Sequence, residues 1–247
     1  MITQTLFGEK MSKSEILSPT AHRELKIITD FGSHVGDNVQ FISTFPLEFR
    51  NIQSSYPIFF CKNSNTGEFY PIALFGFEAG ENLFLNDSGW DASYIPMMIK
   101  RQPFMIGYQG QTDDEKKPIV TVDLESPKIS CSQGEPLFDK NDQPSQFLQK
   151  IMSQLEALHR GFEHNNGFIE TITKLDLIEP FSLEITLKNG SLNQLKGFYT
   201  INEDKLFELD GKVFADLSVR GYLLPIYMAI ASYSRIKPLI DKKNELL

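Results

Sequence analysis

Phe181-Ser182-Leu183-Glu184-Ile185-Thr186-Leu187-Lys188-Asn189-Gly190 is the run whose period decides the fold. Phe181, Leu183, Ile185 and Leu187 alternate with Ser182, Glu184, Thr186 and Lys188. A period of two sends the first set to one face of a β-strand and leaves the second in water. Asn189-Gly190 suits a tight reversal, because both residues tolerate the positive φ that hairpin turns need. Residues 195–201 then return as the second strand of an antiparallel hairpin.

On either side the period changes to that of a helix. Upstream, Phe147, Ile151, Leu155, Leu158 and Phe162 recur at intervals of three and four, with Ser145 near the start and the Glu156, Arg160 pair on the wet face. Asn165-Asn166-Gly167 reads as the end of this helix, and Phe168, Ile169, Ile172 and Leu175 as a shorter one before Pro180. Downstream, Val213, Phe214, Leu217, Gly221, Leu224 and Met228 restore the helical spacing, and Lys242, Lys243 and Glu245 read as a solvated tail.

Further toward the N-terminus the segments are short. Residues 25–29 and 39–45 read as strands, and Pro46 opens one or two helical turns. Residues 58–61 and 69–77 form a hairpin about a polar loop, and residues 104–108 and 119–124 a second one about a charged loop carrying Asp113, Asp114, Glu115, Lys116 and Lys117. Residues 126–144 hold three prolines and Gly134 and read as a linker. The expected organisation is a flexible arm over residues 1–20 and a single domain over 21–247, with two subdomains meeting near 126–144 as a variant. Hairpins mixed with helices, without βαβ alternation, give an α+β fold with a mainly antiparallel sheet and packed amphipathic helices.

Composition narrows the function classes. The chain of 247 residues is 41% hydrophobic, with twenty phenylalanines and eight tyrosines against one tryptophan, enough for a sizeable aromatic core. A net charge of -8 opposes the field of a nucleic-acid backbone, and no basic stripe reverses it locally. Nucleic acid is therefore not an expected partner. Two cysteines, Cys61 and Cys131, are what a reducing compartment permits, and the charged residues near the N-terminus do not make a signal peptide. These features point to the cytoplasm, the alternative being the cell surface by a route without a classical signal peptide. The most apolar run, residues 221–234, falls short of the ~20 residues a membrane span needs and reads as a buried helix.

No nucleophile, phosphate loop or metal-ligand spacing stands out, so neither cofactor nor metal is expected. His22, His34, His159 and His164 lack the paired spacings of a zinc site. Asp123 and Glu125, two apart where a strand enters a loop, could share one strand face as acid and base, with His22 as a further candidate; the bland alternative is a solvated strand end. The densest candidate is residues 89–108, which hold Trp90, Tyr94, Lys100, Arg101 and Phe104. Flat aromatic faces beside a paired base suit recognition of a peptide, sugar or protein partner. The same residues could instead anchor a loop and neutralise the C-terminal end of a short helix begun near Pro96.

Several short motifs, in order, resemble the SapC family over most of the chain. They are Leu47-Glu48-Phe49 with Tyr56-Pro57-Ile58, Gly80-Glu81-Asn82-Leu83-Phe84, Trp90 with Tyr94-Ile95-Pro96, and Lys100-Arg101-Gln102-Pro103-Phe104. Further on come Gly134-Glu135-Pro136-Leu137-Phe138-Asp139, Leu177-Ile178-Glu179-Pro180, Gly197-Phe198 and Leu206-Phe207-Glu208-Leu209. Lys100 and Gln102 depart from the pattern, which more often has arginine and an aromatic there. The resemblance implies a bacterial protein linked to surface-layer formation or uptake systems, and it carries over no catalytic residue. The expected function is a non-catalytic binding or accessory role, with an uncharacterised enzyme using Asp123 and Glu125, or a surface-layer component, as alternatives.

Overall fold

The computed structural model describes residues 13–109 and 117–247. In chain order its strands are β1 (Ser14–Ile16), β2 (Lys26–Ile27), β3 (Phe41–Ser43), β4 (Ile58–Lys62), β5 (Phe69–Leu74), β6 (Leu85–Asn86), β7 (Gly89–Trp90), β8 (Phe104–Gln109), β9 (Lys117–Asp123), β10 (Ile129–Ser130), β11 (Glu135–Pro136), β12 (Ile178–Thr186) and β13 (Leu192–Ile201). Its helices are α1 (Pro19–His22), α2 (Phe49–Ile52), α3 (Met97–Lys100), α4 (Gln146–Lys174), α5 (Glu203–Phe207), α6 (Gly211–Val219), α7 (Leu223–Ser232) and α8 (Ile236–Glu245). The strand pairs are antiparallel, as the α+β reading expects.

The described residues divide into two compact units: those before Asn38 together with those from Met97 to Arg160, and residues 38–96 with 161–247. The boundaries lie at Asp37/Asn38, Pro96/Met97 and Arg160/Gly161, and residues 126–144 fall inside the first unit.

In the first unit β9 is the middle strand of the sheet β1-β9-β8, and β2 lies between β10 and β11. The β8–β9 pair is the expected second hairpin, with Phe104 opposite Val122. Part of its charged loop, residues 110–116, lies outside the described residues. So do residues 1–12 of the expected arm. The rest of that arm is ordered by pairing: Ser14, Glu15 and Ile16 stand opposite Asp123, Val122 and Thr121.

The second unit is built on the five-stranded sheet β12-β13-β4-β5-β3. Residues 58–60 and 72–75 are fully buried, so the β4–β5 hairpin is apolar on both faces, as a central pair must be. The β12–β13 hairpin follows the period-two reading: Leu183 is half-buried, Ile185 buried, and Ser182, Glu184 and Thr186 exposed. Helix α7 buries Pro225, Ile226, Ala229 and Ser232, and Ser232 Oγ accepts the Ile58 N–H at 2.8 Å.

Two helical expectations are corrected. Asn165-Asn166-Gly167 does not end a helix, because α4 runs unbroken over 29 residues. Phe168 and Ile172 are fully buried by that continuation, which outweighs a propensity penalty of about 1 kcal/mol for glycine. Gly167 also has a packing reason: a Cβ there would lie 2.8 Å from Tyr222 Oη. The apolar run 221–234 is not uniformly buried either. Its helix begins at Leu223, and Leu224 and Tyr227 are exposed.

Candidate functional site

Trp90 and Tyr94 belong to the second unit and are fastened by one hydrogen-bond chain. Trp90 Nε1 donates to Tyr56 Oη at 2.7 Å, and Tyr56 Oη donates to the Tyr94 carbonyl. Tyr94 Oη donates to Glu48 Oε1 at 2.8 Å, and Thr44 Oγ1 donates to Glu48 Oε2 at 2.7 Å. Local sequence sets this up. Glu48 directly precedes the single turn of α2, and the Tyr56 N–H returns to the Ile52 carbonyl, which holds Tyr56 beneath the loop that carries Trp90. The Tyr56 ring packs edge-on to Phe75 and Phe84, and the Trp90 ring edge-on to Phe75 at 5.2 Å.

Tyr56 is fully buried and Glu48 is 2% exposed, whereas Trp90 and Tyr94 each keep part of their surface in solvent. Burial pushes the Tyr56 phenol well above the ordinary tyrosine range. Burial does the same to Tyr94, and the Glu48 carboxylate adds to it by charge and by accepting the hydroxyl hydrogen. Both phenols are thereby held neutral, the form that can donate.

The loop is fastened a second time from α8. Lys242 pairs with Asp91 at 2.5 Å and lies over the Phe84 ring, and Lys243 pairs with Glu81, whose other oxygen accepts the Phe77 N–H at 2.7 Å. The expected solvated tail is thus the end of a helix that grips the Gly80-Glu81-Asn82-Leu83-Phe84 segment.

Lys100, Arg101 and Phe104 belong to the first unit. Helix α3 begins directly after Pro96, as expected, and ends at Lys100, which is half-buried. Arg101 is 2% exposed; its guanidinium donates to the Phe104 carbonyl at 2.9 Å and lies 3.3 Å from Met98 Sδ. Phe104 is fully buried at the start of β8, its ring 6.4 Å from that of Phe147. The contiguous stretch is therefore two built pieces, one in each unit: a half-exposed aromatic pair and a buried arginine turn.

Asp123 and Glu125 do not share a strand face. Asp123 ends β9, Glu125 lies in the following turn, and the Glu125 N–H bonds to Asp123 Oδ1 at 3.1 Å, the turn geometry that aspartate favours. His22 is 3% exposed; its Nδ1 accepts the Ser18 N–H at 3.1 Å, and its Nε2 lies 3.5 Å from Glu15 Oε2. Asp123 shares its register position with Ser14, and Glu15 shares one with Val122, so the Asp123 and Glu15 side chains leave opposite faces of the sheet. Among the described residues no group of three or more His, Cys, Asp or Glu side chains is arranged to hold a metal ion.

Three features had no site role assigned from the sequence, although Glu48 and Tyr56 stand in the motifs Leu47-Glu48-Phe49 and Tyr56-Pro57-Ile58. Glu48 and Tyr56 carry the aromatic pair, and their signal was a lone acid between Leu47 and Phe49. Lys128 is buried against Asp37 at 3.2 Å, donates to the Asp30 carbonyl and stands over the Phe31 ring, an arrangement without local signature because 91 residues separate its charges. A groove of about 480 Å³ lies between the end of α4 and α6, with Leu175 and Val213 among its walls and the Lys174–Glu170 and Arg220–Asp216 pairs beside it.

No single helix among the described residues is long and apolar enough to cross a membrane. No curated protein and no solved structure matches the chain. The family model described as SapC matches residues 17–239, spanning the β4–β5, β8–β9 and β12–β13 hairpins, the Glu48–Tyr94 network and the first turn of α8. On that match the chain belongs to the SapC family.

Proposed function

We propose that this protein is a non-catalytic binding or accessory protein, which recognises a peptide, sugar or protein partner at the surface around Trp90 and Tyr94. The carrying observation is the hydrogen-bond chain Trp90–Tyr56–Tyr94–Glu48, which holds two half-exposed aromatic side chains on buried supports. Rigid aromatic groups give much contact for little lost freedom, the property that concentrates binding energy in tryptophan and tyrosine. On this reading Lys100, Arg101 and Phe104 shape the segment that follows, with Arg101 acting through its bond to the Phe104 carbonyl.

A cytoplasmic location is part of the proposal. The free thiols of buried Cys61 and exposed Cys131 are compatible with it. Cell fractionation checks this, and recovery of the protein from the cell surface would favour the surface-layer alternative.

Affinity capture from native cells, followed by titration of the captured partner against intrinsic fluorescence, tests the site. Trp90 is the only tryptophan, so its emission reports directly on this surface. The expected result is a saturable spectral shift and weaker capture by Trp90→Phe, which keeps a ring but loses the indole edge. Emission that a captured partner leaves unchanged removes Trp90 from the site.

A further inference from the structure

We infer that the β12 edge of the five-stranded sheet is a self-pairing surface, along which a second copy of this chain adds antiparallel to continue the sheet. β12 ends the strand order and is nine residues long, whereas β3 at the opposite edge has three.

The direction of its backbone groups follows from both ends of the hairpin. At one end the Asn202 N–H bonds to the Leu177 carbonyl, while the Ile201 N–H turns away to Tyr233 Oη. At the other the Leu187 N–H bonds to the Ser191 carbonyl. Odd-numbered residues of β12 therefore face β13, and even-numbered residues face outward. The register shift near Ser182 does not disturb this alternation, because the extra residue belongs to β13: Phe181 stands opposite Phe198 and Leu183 opposite Leu195, with Gly197 at φ 81° between them.

Pro180 is an outward residue and costs the inner ladder nothing. The outward N–H of Lys188 is taken by Asn244 Oδ1 at 2.7 Å. Among the described residues, no protein acceptor takes the N–H of Ser182, Glu184 or Thr186.

Natural sheets blunt such edges with lysine, proline or brevity. Residues 178–186 contain no lysine or arginine, and Pro180 is the single proline. Glu179 and Glu184 make this edge acidic, so a second copy fits it only in a register that keeps these side chains apart. With the two-fold axis at Ser182, Phe181 stands opposite Leu183 of the second copy, so half-exposed apolar side chains cover one another. Glu184 stands opposite Pro180 of the second copy, which keeps the acids apart and sacrifices one of the two hydrogen bonds of that pair. An axis at Glu184 would set like charges face to face, which is unfavourable.

Sedimentation velocity of the full chain over a range of concentrations tests this. The expected result is a monomer–dimer equilibrium that Ser182→Pro abolishes with an unchanged circular dichroism spectrum, since the substitution removes only an outward N–H. Should Ser182→Pro fail to fold, a cysteine pair decides the question. In a Cys131→Ser background, Ser182→Cys should form disulfide dimers under copper-phenanthroline oxidation at least tenfold faster than Leu192→Cys, an exposed control beyond the edge. A chain that stays monomeric throughout, a dimer that Ser182→Pro leaves intact, or equal cross-linking at 182 and 192 overturns the inference.

Discussion

Tyr94 donates its phenolic hydrogen to Glu48 Oε1 across 2.8 Å, and this bond ties a loop that carries the only tryptophan to a carboxylate that is 2% exposed. A buried carboxylate is costly unless its lone pairs are satisfied, and Thr44 supplies a second donor to its other oxygen. Tyr94→Phe should therefore cost about 1.5–3 kcal/mol, the range for hydrogen bonds to charged groups. Urea denaturation measures this. A loss below about 0.5 kcal/mol would mean that solvent replaces the hydroxyl freely and that the network is not a rigid support.

Alkaline stability follows from the same phenols. Burial raises the folded-state pKa of Tyr56 and Tyr94, so both stay neutral in the native protein where an unfolded chain ionises near pH 10. Below that value both states hold the proton and the stabilising contribution is complete. As pH climbs past about 10 the unfolded state binds fewer protons, and stability falls. Absorbance at 295 nm should show tyrosines that titrate only together with loss of the circular dichroism signal. A smooth titration of all eight near pH 10, with the fold intact, would contradict the burial argument.

The cysteines should separate kinetically. Burial in β4 pushes the Cys61 thiol up to about 11, with a hydrogen bond from Tyr70 as a smaller opposing effect, whereas Cys131 is exposed. The thiolate is the form that reacts, and burial disfavours it at Cys61. A thiol reagent should label one site promptly and the second only after unfolding. Equal labelling rates would show that the β4–β5 core opens readily.

The fold was legible where one period dominated. Residues 181–187 alternate cleanly because one face of β12 is wet, and the stripe from Phe147 to Phe162 repeats because one face of α4 is buried. The reading failed where local and tertiary preferences diverge. Asn165-Asn166-Gly167 carries the chemistry of a helix end, yet Phe168 and Ile172 bury only if the helix continues. The candidate stretch 89–108 was legible as dense but not as divided, since nothing local distinguishes the half-exposed Trp90 from the buried Arg101 twelve positions after Gly89. Their difference comes from Tyr56 and Glu48 on one side and from the Phe104 carbonyl on the other, partners that a window of sequence does not pair.

Two glycine substitutions separate propensity from packing. Within a helix, glycine to alanine ordinarily stabilises by about 0.4–1 kcal/mol, because it narrows the unfolded ensemble. Gly211, the first residue of α6, has nothing within 4 Å of a built Cβ, so Gly211→Ala should follow that rule. Gly161, inside α4, should reverse it. A Cβ there would lie 2.3 Å from Cε2 of Phe45, whose ring packs on Phe162 at 5.2 Å and is 3% exposed, so the ring cannot swing aside into solvent. Overpacking of this kind costs about 1–3 kcal/mol, more than the propensity gain returns. Thermal or urea unfolding of the two variants should shift in opposite directions. Stabilisation by Gly161→Ala would show that Phe45 has room to move and that the continuous α4 is held by propensity rather than by this contact.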